Sequence, residues 1–352
     1  MNRQRLLSFL QVIAAAILFG ASAPFAKLLL GDVQPVMLAG LLYFGSGLGL
    51  ALFSGMRLLV KKREIAEAPL AGQDFAWLAG AVLAGAITAP ILLLVSLKNT
   101  PASTASLLLN FEAVAATFIA WLVFREAVGM RALAAILLIT LAGVLLSLDT
   151  SQQWGVSLGA VGIMAACFLW GIDNNFTRNI SSKDAVITTM IKGLAGGTFS
   201  IMLAFSMGNI LPPLGTLLEA LALGCLSYGV SIVLFIQAMR GLGAARTSAL
   251  FSFSPLAGII LSFVLLHEQP AWMFYLTLSI LAAGAYLLVS ESHVHPHHHH
   301  ALVHQHAHSH TDGHHAHAHP GGVAGRHSHV HTHEELEHAH DHLPDLHHRH
   351  TH

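Results

Sequence analysis

The stretch ASTASLLLNFEAVAATFIAWLVFRE, running from Ala102 to Glu126, carries one ionisable side chain, Glu112, before it ends on Arg125 and Glu126. A bilayer core of about 30 Å needs about 20 consecutive apolar residues in helical form, and this stretch is long enough. A second stretch, AARTSALFSFSPLAGIILSFVLLHE from Ala244 to Glu268, falls on the first at an offset of 142. Ala102/Ala244, Ser106/Ser248, Leu108/Leu250, Phe111/Phe253, Ala115/Ala257 and Glu126/Glu268 are then identical. One membrane helix and its distant copy are the seed of the fold.

Outward from that pair, the same length rule gives ten segments: 7–30, 35–57, 75–97, 102–124, 130–148, 155–178, 184–208, 214–239, 244–266 and 271–290. Lipid offers no partner to a free backbone N–H or C=O, so each must be a helix. Charge or Pro/Gly marks the breaks, as at Lys61-Lys62-Arg63-Glu64 and His267-Glu268-Gln269-Pro270. The composition agrees, with 54% hydrophobic and only 10% charged residues against about 25% charged in soluble domains. A net charge of −1 with scattered basic residues argues against nucleic acid. Cys167 and Cys225 sit in apolar runs and read as packing residues. No Walker loop is present, so the chain is predicted neither to be an enzyme nor to pump with ATP by itself.

Basic residues favour the cytoplasmic side. With the N-terminus inside, twelve fall there (Arg3, Arg5, Arg57, Lys61, Lys62, Arg63, Arg125, Arg131, Arg178, Lys183, Arg240, Arg246) against Lys27 and Lys98 outside. Ten spans return the chain to its starting side, which predicts both termini in the cytoplasm of a bacterial inner (plasma) membrane. Arg3 and Arg5 before an apolar run, with Ala21-Ser22-Ala23 after it, also fit a cleaved signal peptide. The counterpart of that span at 155–178 argues for a retained helix.

The repeat extends beyond the quoted pair. At an offset of 151, Phe19-Gly20 meets Trp170-Gly171, Phe25 meets Phe176 and Lys27 meets Arg178; Ala142-Gly143 pairs with Ala283-Gly284 after a one-residue slip. Five spans per half is odd, so the halves enter the membrane in opposite orientations. Inverted repeats of this kind build secondary transporters, with the solute site near the midplane between them.

These residues resemble a known family. Phe19-Gly20 through Phe25, and Trp170-Gly171 through Phe176, look like the aromatic-Gly opening of the EamA repeat. Phe124-Arg125-Glu126 and Leu266-His267-Glu268 look like the Glu that follows its fourth helix, and Ala142-Gly143-Val144 and Ala283-Gly284-Ala285 like its small-residue fifth helix. The resemblance covers residues 6–291. It implies the drug/metabolite transporter superfamily: an all-α membrane protein of ten helices in two inverted five-helix repeats, here 6–148 and 155–291, exporting or exchanging small metabolites. Family substrates range over amino acids, drugs, sugars and nucleotide sugars, and the resemblance does not choose among them.

Ionisable groups inside a span are expensive and usually face a cavity or a partner. Glu112 lies halfway along the fourth span, Asp173 in the cytoplasmic third of the sixth, and Lys192 about 12 Å into the seventh at 1.5 Å per residue. Asn110, Asn174 and Asn175 are close by in sequence. One reading is a polar solute site, with a carboxylate that takes up a proton and a lysine that holds an anionic group. The other is a Glu–Lys or Asp–Lys pair that neutralises itself. Glu126 and Glu268, at span ends beside Arg125 and His267, read as helix-end structure. Pro24 and Pro90 are expected to kink their helices.

Of 26 histidines, all but His267 follow Ser292. Residues 292–352 have few large apolar side chains and are expected to lack fixed structure when metal-free. His-X-His runs recur: His304, His306, His308 and His310; His315, His317 and His319; His327, His329, His331 and His333; His338, His340 and His342. Neutral imidazole is a favoured ligand for Ni²⁺, Zn²⁺, Co²⁺ and Cu²⁺, so the tail is predicted to bind such ions, although the body requires no cofactor. The expected partners are therefore lipid, a small-molecule solute and divalent metal. The leading function is secondary-active transport of a small organic metabolite. The alternatives are a Ni/Co/Zn transporter or a membrane-anchored metal store or sensor.

Overall fold

A computed structural model describes residues 3–59, 70–72, 74–124, 130–149, 155–180, 183–242, 247, 250–251, 253–270 and 272–289, together with tail segments 296–299, 302–308, 327–333 and 336–339. The body is helical. Arg3–Gly20 and Ser22–Leu29 form α1, Pro35–Leu59 α2, and Asp74–Ala81, Val82–Thr88 and Ala89–Leu97 together α3. Ala102–Leu108 and Phe111–Phe124 form α4, Met130–Ser147 α5, Leu158–Asn179 α6 and Ala185–Ser206 α7. Leu214–Gly224, Cys225–Val230 and Ser231–Leu242 form α8, Ser254–Leu266 α9 and Trp272–Val289 α10.

Six of these, α1 to α4, α7 and α8, are long and apolar enough to cross a membrane. The apolar stretches of α5, α9 and α10 are shorter over their described residues. The 22-residue α6 carries Asp173 and Arg178 within its length. The outer surface is one that water would not tolerate: Leu137 is 64% exposed and Val264 62%. With lipid around the body, those side chains need no covering.

The breaks have local causes. Pro24 has no N–H, so the Gly20 carbonyl lacks its usual donor, and α1 is interrupted at Ala21. Pro90 does the same to the Ala86 carbonyl, inside the π-helical turn Val82–Thr88. Within that turn the Thr88 hydroxyl donates to the Leu83 carbonyl at 2.8 Å. The second π turn, Cys225–Val230, contains no proline. At the offset of 142 that aligns the two quoted stretches, the first π turn lands on 224–230. The same distortion therefore recurs at the same place in both halves, and such bulges concentrate at functional sites.

Packing repeats with the sequence. A methyl group added at Gly20 of α1 would collide with Ser254 and Ala257 of α9, and one at Gly171 of α6 with Ala115 and Ala116 of α4. Ala115 and Ala257 are a matched pair of the internal repeat, so the first helix of each half crosses the fourth helix of the other in the same way. Between α2 and α7 close approach extends along several turns. Gly40 faces Ser200 and Ile201, Gly197 faces Phe44, and Gly47 faces Gly193 and Leu194. Partner numbers fall as α2 advances, so these helices run antiparallel, backbone against backbone, in the manner of small-residue membrane contacts.

The main apolar core lies beside this seam, built on Met37, Leu38 and Leu42 of α2, Leu94 and Leu97 of α3, and Ile163 of α6. In the tail, residues 296–299 pair antiparallel with 336–339 and residues 302–308 with 327–333. His-X-His alternation has the two-residue period of a strand, and valine and threonine at intervening positions suit one.

Candidate functional site

A cavity of about 140 Å³ opens between the two halves where α1, α2 and α4 meet α6, α7 and α8. Its ionisable lining residues are Glu112, Asp173 and Lys192, and Asn174 joins them. Four of the six polar side chains named in the sequence thus converge. Asn175 instead donates to the carbonyls of Ala116 and Gly171 at 3.0 and 2.8 Å, and Asn110 stays on its own turn at the break in α4, donating to the Leu107 carbonyl at 3.1 Å.

Within the cavity the charges divide. Lys192 Nζ lies 2.5 Å from Asp173 Oδ1 and 2.7 Å from Oδ2, with Thr177 Oγ1 at 3.2 Å. The Thr177 hydroxyl in turn donates to Asp173 Oδ1 at 2.9 Å. Both carboxylate oxygens of Asp173 are engaged by one ammonium. The self-neutralising alternative describes this pair, with aspartate rather than glutamate as the partner. Glu112 is different. Its Oε1 accepts from Asn174 Nδ2 at 2.8 Å, and among the described residues no lysine or arginine forms an ion pair with it.

The rest of the wall is aromatic. Tyr43 and Tyr228 stack with centroids 5.5 Å apart, and Phe19 meets Tyr228 edge-on at 6.0 Å. Tyr43 and Trp170 are fixed by the first π turn: the Tyr43 hydroxyl and Trp170 Nε1 both donate to the Gly85 carbonyl at 2.9 Å. A π turn leaves carbonyls less committed to their own helix, and this one receives two side chains from other helices. Gly85 also needs its lack of a side chain, because a Cβ there would overlap the Asp173 carboxylate. Phe19 and Trp170 were noticed in the sequence only as markers of the repeat, and Tyr43 and Tyr228 were not singled out. The signal for Phe19 and Trp170 was present in the aromatic-Gly motif, whose glycine sits at a helix crossing and whose aromatic neighbour faces the cavity; the two tyrosines had none.

Other candidates lie elsewhere. Glu268, at the end of α9, accepts from the backbone N–H groups of Ala102 and Ser103 at 2.6 and 2.9 Å and from the Ser103 hydroxyl at 2.5 Å. It is a helix-end residue, as expected, but the end it caps is that of α4 in the other half. Lys27 Nζ donates to the carbonyls of Leu97, Lys98 and Thr100 at 2.6, 2.8 and 2.9 Å, closing the C-terminus of α3. Asp184 caps α7 through the N–H groups of Val186 and Ile187, and Lys183 pairs with Asp74 at 3.3 Å. Glu126 lies outside the described residues, as do the side chains of all fourteen candidate metal ligands of the tail. Among the described residues no group of three or more His, Cys, Asp or Glu could hold a metal ion.

The model of the EamA-like transporter family matches residues 6–148 and 157–290. A protein of Methanothermobacter thermautotrophicus, described as an uncharacterized transporter, is 29% identical over 297 residues, covering 81% of this chain and 87% of its own. A crystal structure with 18% identity superposes at a TM-score of 0.56 over 81% of this chain and 94% of the other, a likeness of fold alone.

Proposed function

This chain belongs to the EamA-like transporter family, and from that premise we propose that it is a secondary-active exporter or exchanger of a small organic metabolite. In this reading ten helices cross a bacterial inner membrane as two inverted repeats, 6–148 and 155–291. Both termini are cytoplasmic, and the histidine tail binds divalent metal as an accessory element. One observation carries the reading: a cavity lined by both halves, with a carboxylate inside it that forms no ion pair with a lysine or arginine among the described residues. A purely structural core would have no reason to retain that carboxylate, since an intramembrane charge costs several kcal/mol unless compensated.

The rival reading, in which metal itself is the cargo, draws less support. Among the described residues the cavity is lined by no histidine or cysteine, and one of its two carboxylates is committed to Lys192. Metabolite profiling tests the choice. Cells producing the protein should lose at least one small organic compound to the medium, and cells producing Glu112→Gln should retain it. An unchanged metabolite pool together with altered Ni²⁺, Co²⁺ or Zn²⁺ content would overturn the organic reading.

A further inference from the structure

We propose that the solute is a small organic monocation, bound with its ammonium group against Glu112 and its apolar part against the aromatic wall. The inference rests on the transporter reading and adds the charge of the cargo to it.

The first argument is a charge count. The cavity holds two carboxylates, Glu112 and Asp173, and one ammonium, Lys192. Lys192 and Asp173 cancel, each using the other through two short contacts. One negative charge is left, on a residue whose hydrogen-bond partner is the neutral Asn174. An anionic solute would meet that charge in a low-dielectric space where, among the described residues, no cation is free to answer it. A neutral solute would leave it to be answered by a proton. A cation removes it, and a charge-assisted hydrogen bond to a carboxylate is about twice as strong as a neutral one.

The second argument is the wall. Phe19, Tyr43, Trp170 and Tyr228 line the same cavity, and ring faces attract a desolvated cation while also accepting apolar carbon. Aromatic walls alone would suit any flat solute, and a lone carboxylate alone would suit a metal. Together they suit an amine with a hydrocarbon body. The third argument is size. A cavity of about 140 Å³ is close to the roughly 150 Å³ that accommodates benzene in an engineered protein core. The cargo should therefore be about the size of one six-membered ring bearing an aminomethyl group.

Benzylamine, benzyl alcohol and benzoate share that size and differ in charge, so they form the test. Calorimetric titration of full-length protein in detergent at neutral pH should give the order benzylamine, then benzyl alcohol, then benzoate. Glu112→Gln should weaken benzylamine by about tenfold or more and leave benzyl alcohol within about twofold. Phe19→Leu, which leaves every charge in place, should weaken benzylamine more than benzyl alcohol and serves if the glutamine variant does not fold. Benzoate binding as tightly as benzylamine, or a Glu112→Gln protein that keeps wild-type affinity for benzylamine, would overturn the proposal. Exchange of a cell metabolite extract across vesicles containing the wild-type protein is a separate measurement. Exchange confined to anionic or neutral compounds would sink the cation inference and leave the transporter standing. An extract in which nothing exchanges would sink the transporter reading itself.

Discussion

Two sets of acids and bases occupy this membrane body, and they are used in opposite ways. At the ends of the helices Glu268 binds two backbone N–H groups and a hydroxyl, and Lys27 binds three carbonyls. These charges answer the partial charges that every helix terminus exposes. In the interior, Asp173 and Lys192 answer each other, and the hydrogen-bond partner of Glu112 among the described residues is an amide. The same residue types are therefore structural in one place, self-cancelling in a second and available in a third. What separates them is the capacity each has left after its neighbours are satisfied, and no residue name reveals that.

Substitutions should rank accordingly. The largest loss of stability is expected from Lys192→Met, which strands Asp173, a residue only 6% exposed. Removing one partner of a buried pair costs about 3–5 kcal/mol, read as a lower melting temperature and less protein in the membrane fraction. Adding Asp173→Asn should restore most of it, and a double variant no more stable than the single would break the assignment of this pair. Glu268→Ala should come next, at about 1–2 kcal/mol, the scale of a lost helix cap. Faster amide exchange at Ala102 and Ser103 should accompany it; unchanged protection there would mean that the cap is not formed in the membrane.

Glu112→Gln should cost no stability, because it removes an intramembrane charge whose hydrogen-bond partner is a neutral amide, although transport should be lost. That uncoupling of folding from flux is the sharpest form of the comparison, measured by melting the variant and assaying it in vesicles. Deleting residues 293–352 should change the body's melting least of all. It should nevertheless abolish binding of several Ni²⁺ or Zn²⁺ ions, seen by titration against the full-length protein. In the full-length protein that binding should fade as pH drops through about 6.5, because protonated imidazole has no lone pair to donate.

Much of this was legible in the chain. Lipid enforces the length rule, so the long apolar helices could be read from hydropathy. A charge inside a span is conspicuous, so Glu112, Asp173 and Lys192 were found at once. Their pairing was not, because Asp173 and Lys192 sit on adjacent helices whose rotation decides which carboxylate the ammonium meets. The π turns at 82–88 and 225–230 were invisible, since their composition is that of any membrane helix. The aromatic wall was hidden for a similar reason: in an apolar helix a tyrosine facing a cavity resembles one facing lipid. The grip of Glu268 on α4 spans 166 residues, and only the folded chain brings those ends together.

The glycine seam between α2 and α7 has a mechanical consequence. Leucines packed across a helix pair behave like gear teeth, and turning one helix requires each side chain to climb out of its slot. Gly40, Gly47, Gly193 and Gly197 thin those teeth to a few, Phe44, Leu194 and Ile201 among them. A bearing of that kind would let one half roll against the other with few slots to climb out of. A single methyl group on it, as in Gly197→Ala, would act as a wedge against the Phe44 backbone, and the roll would stop in whichever orientation accommodates the extra carbon.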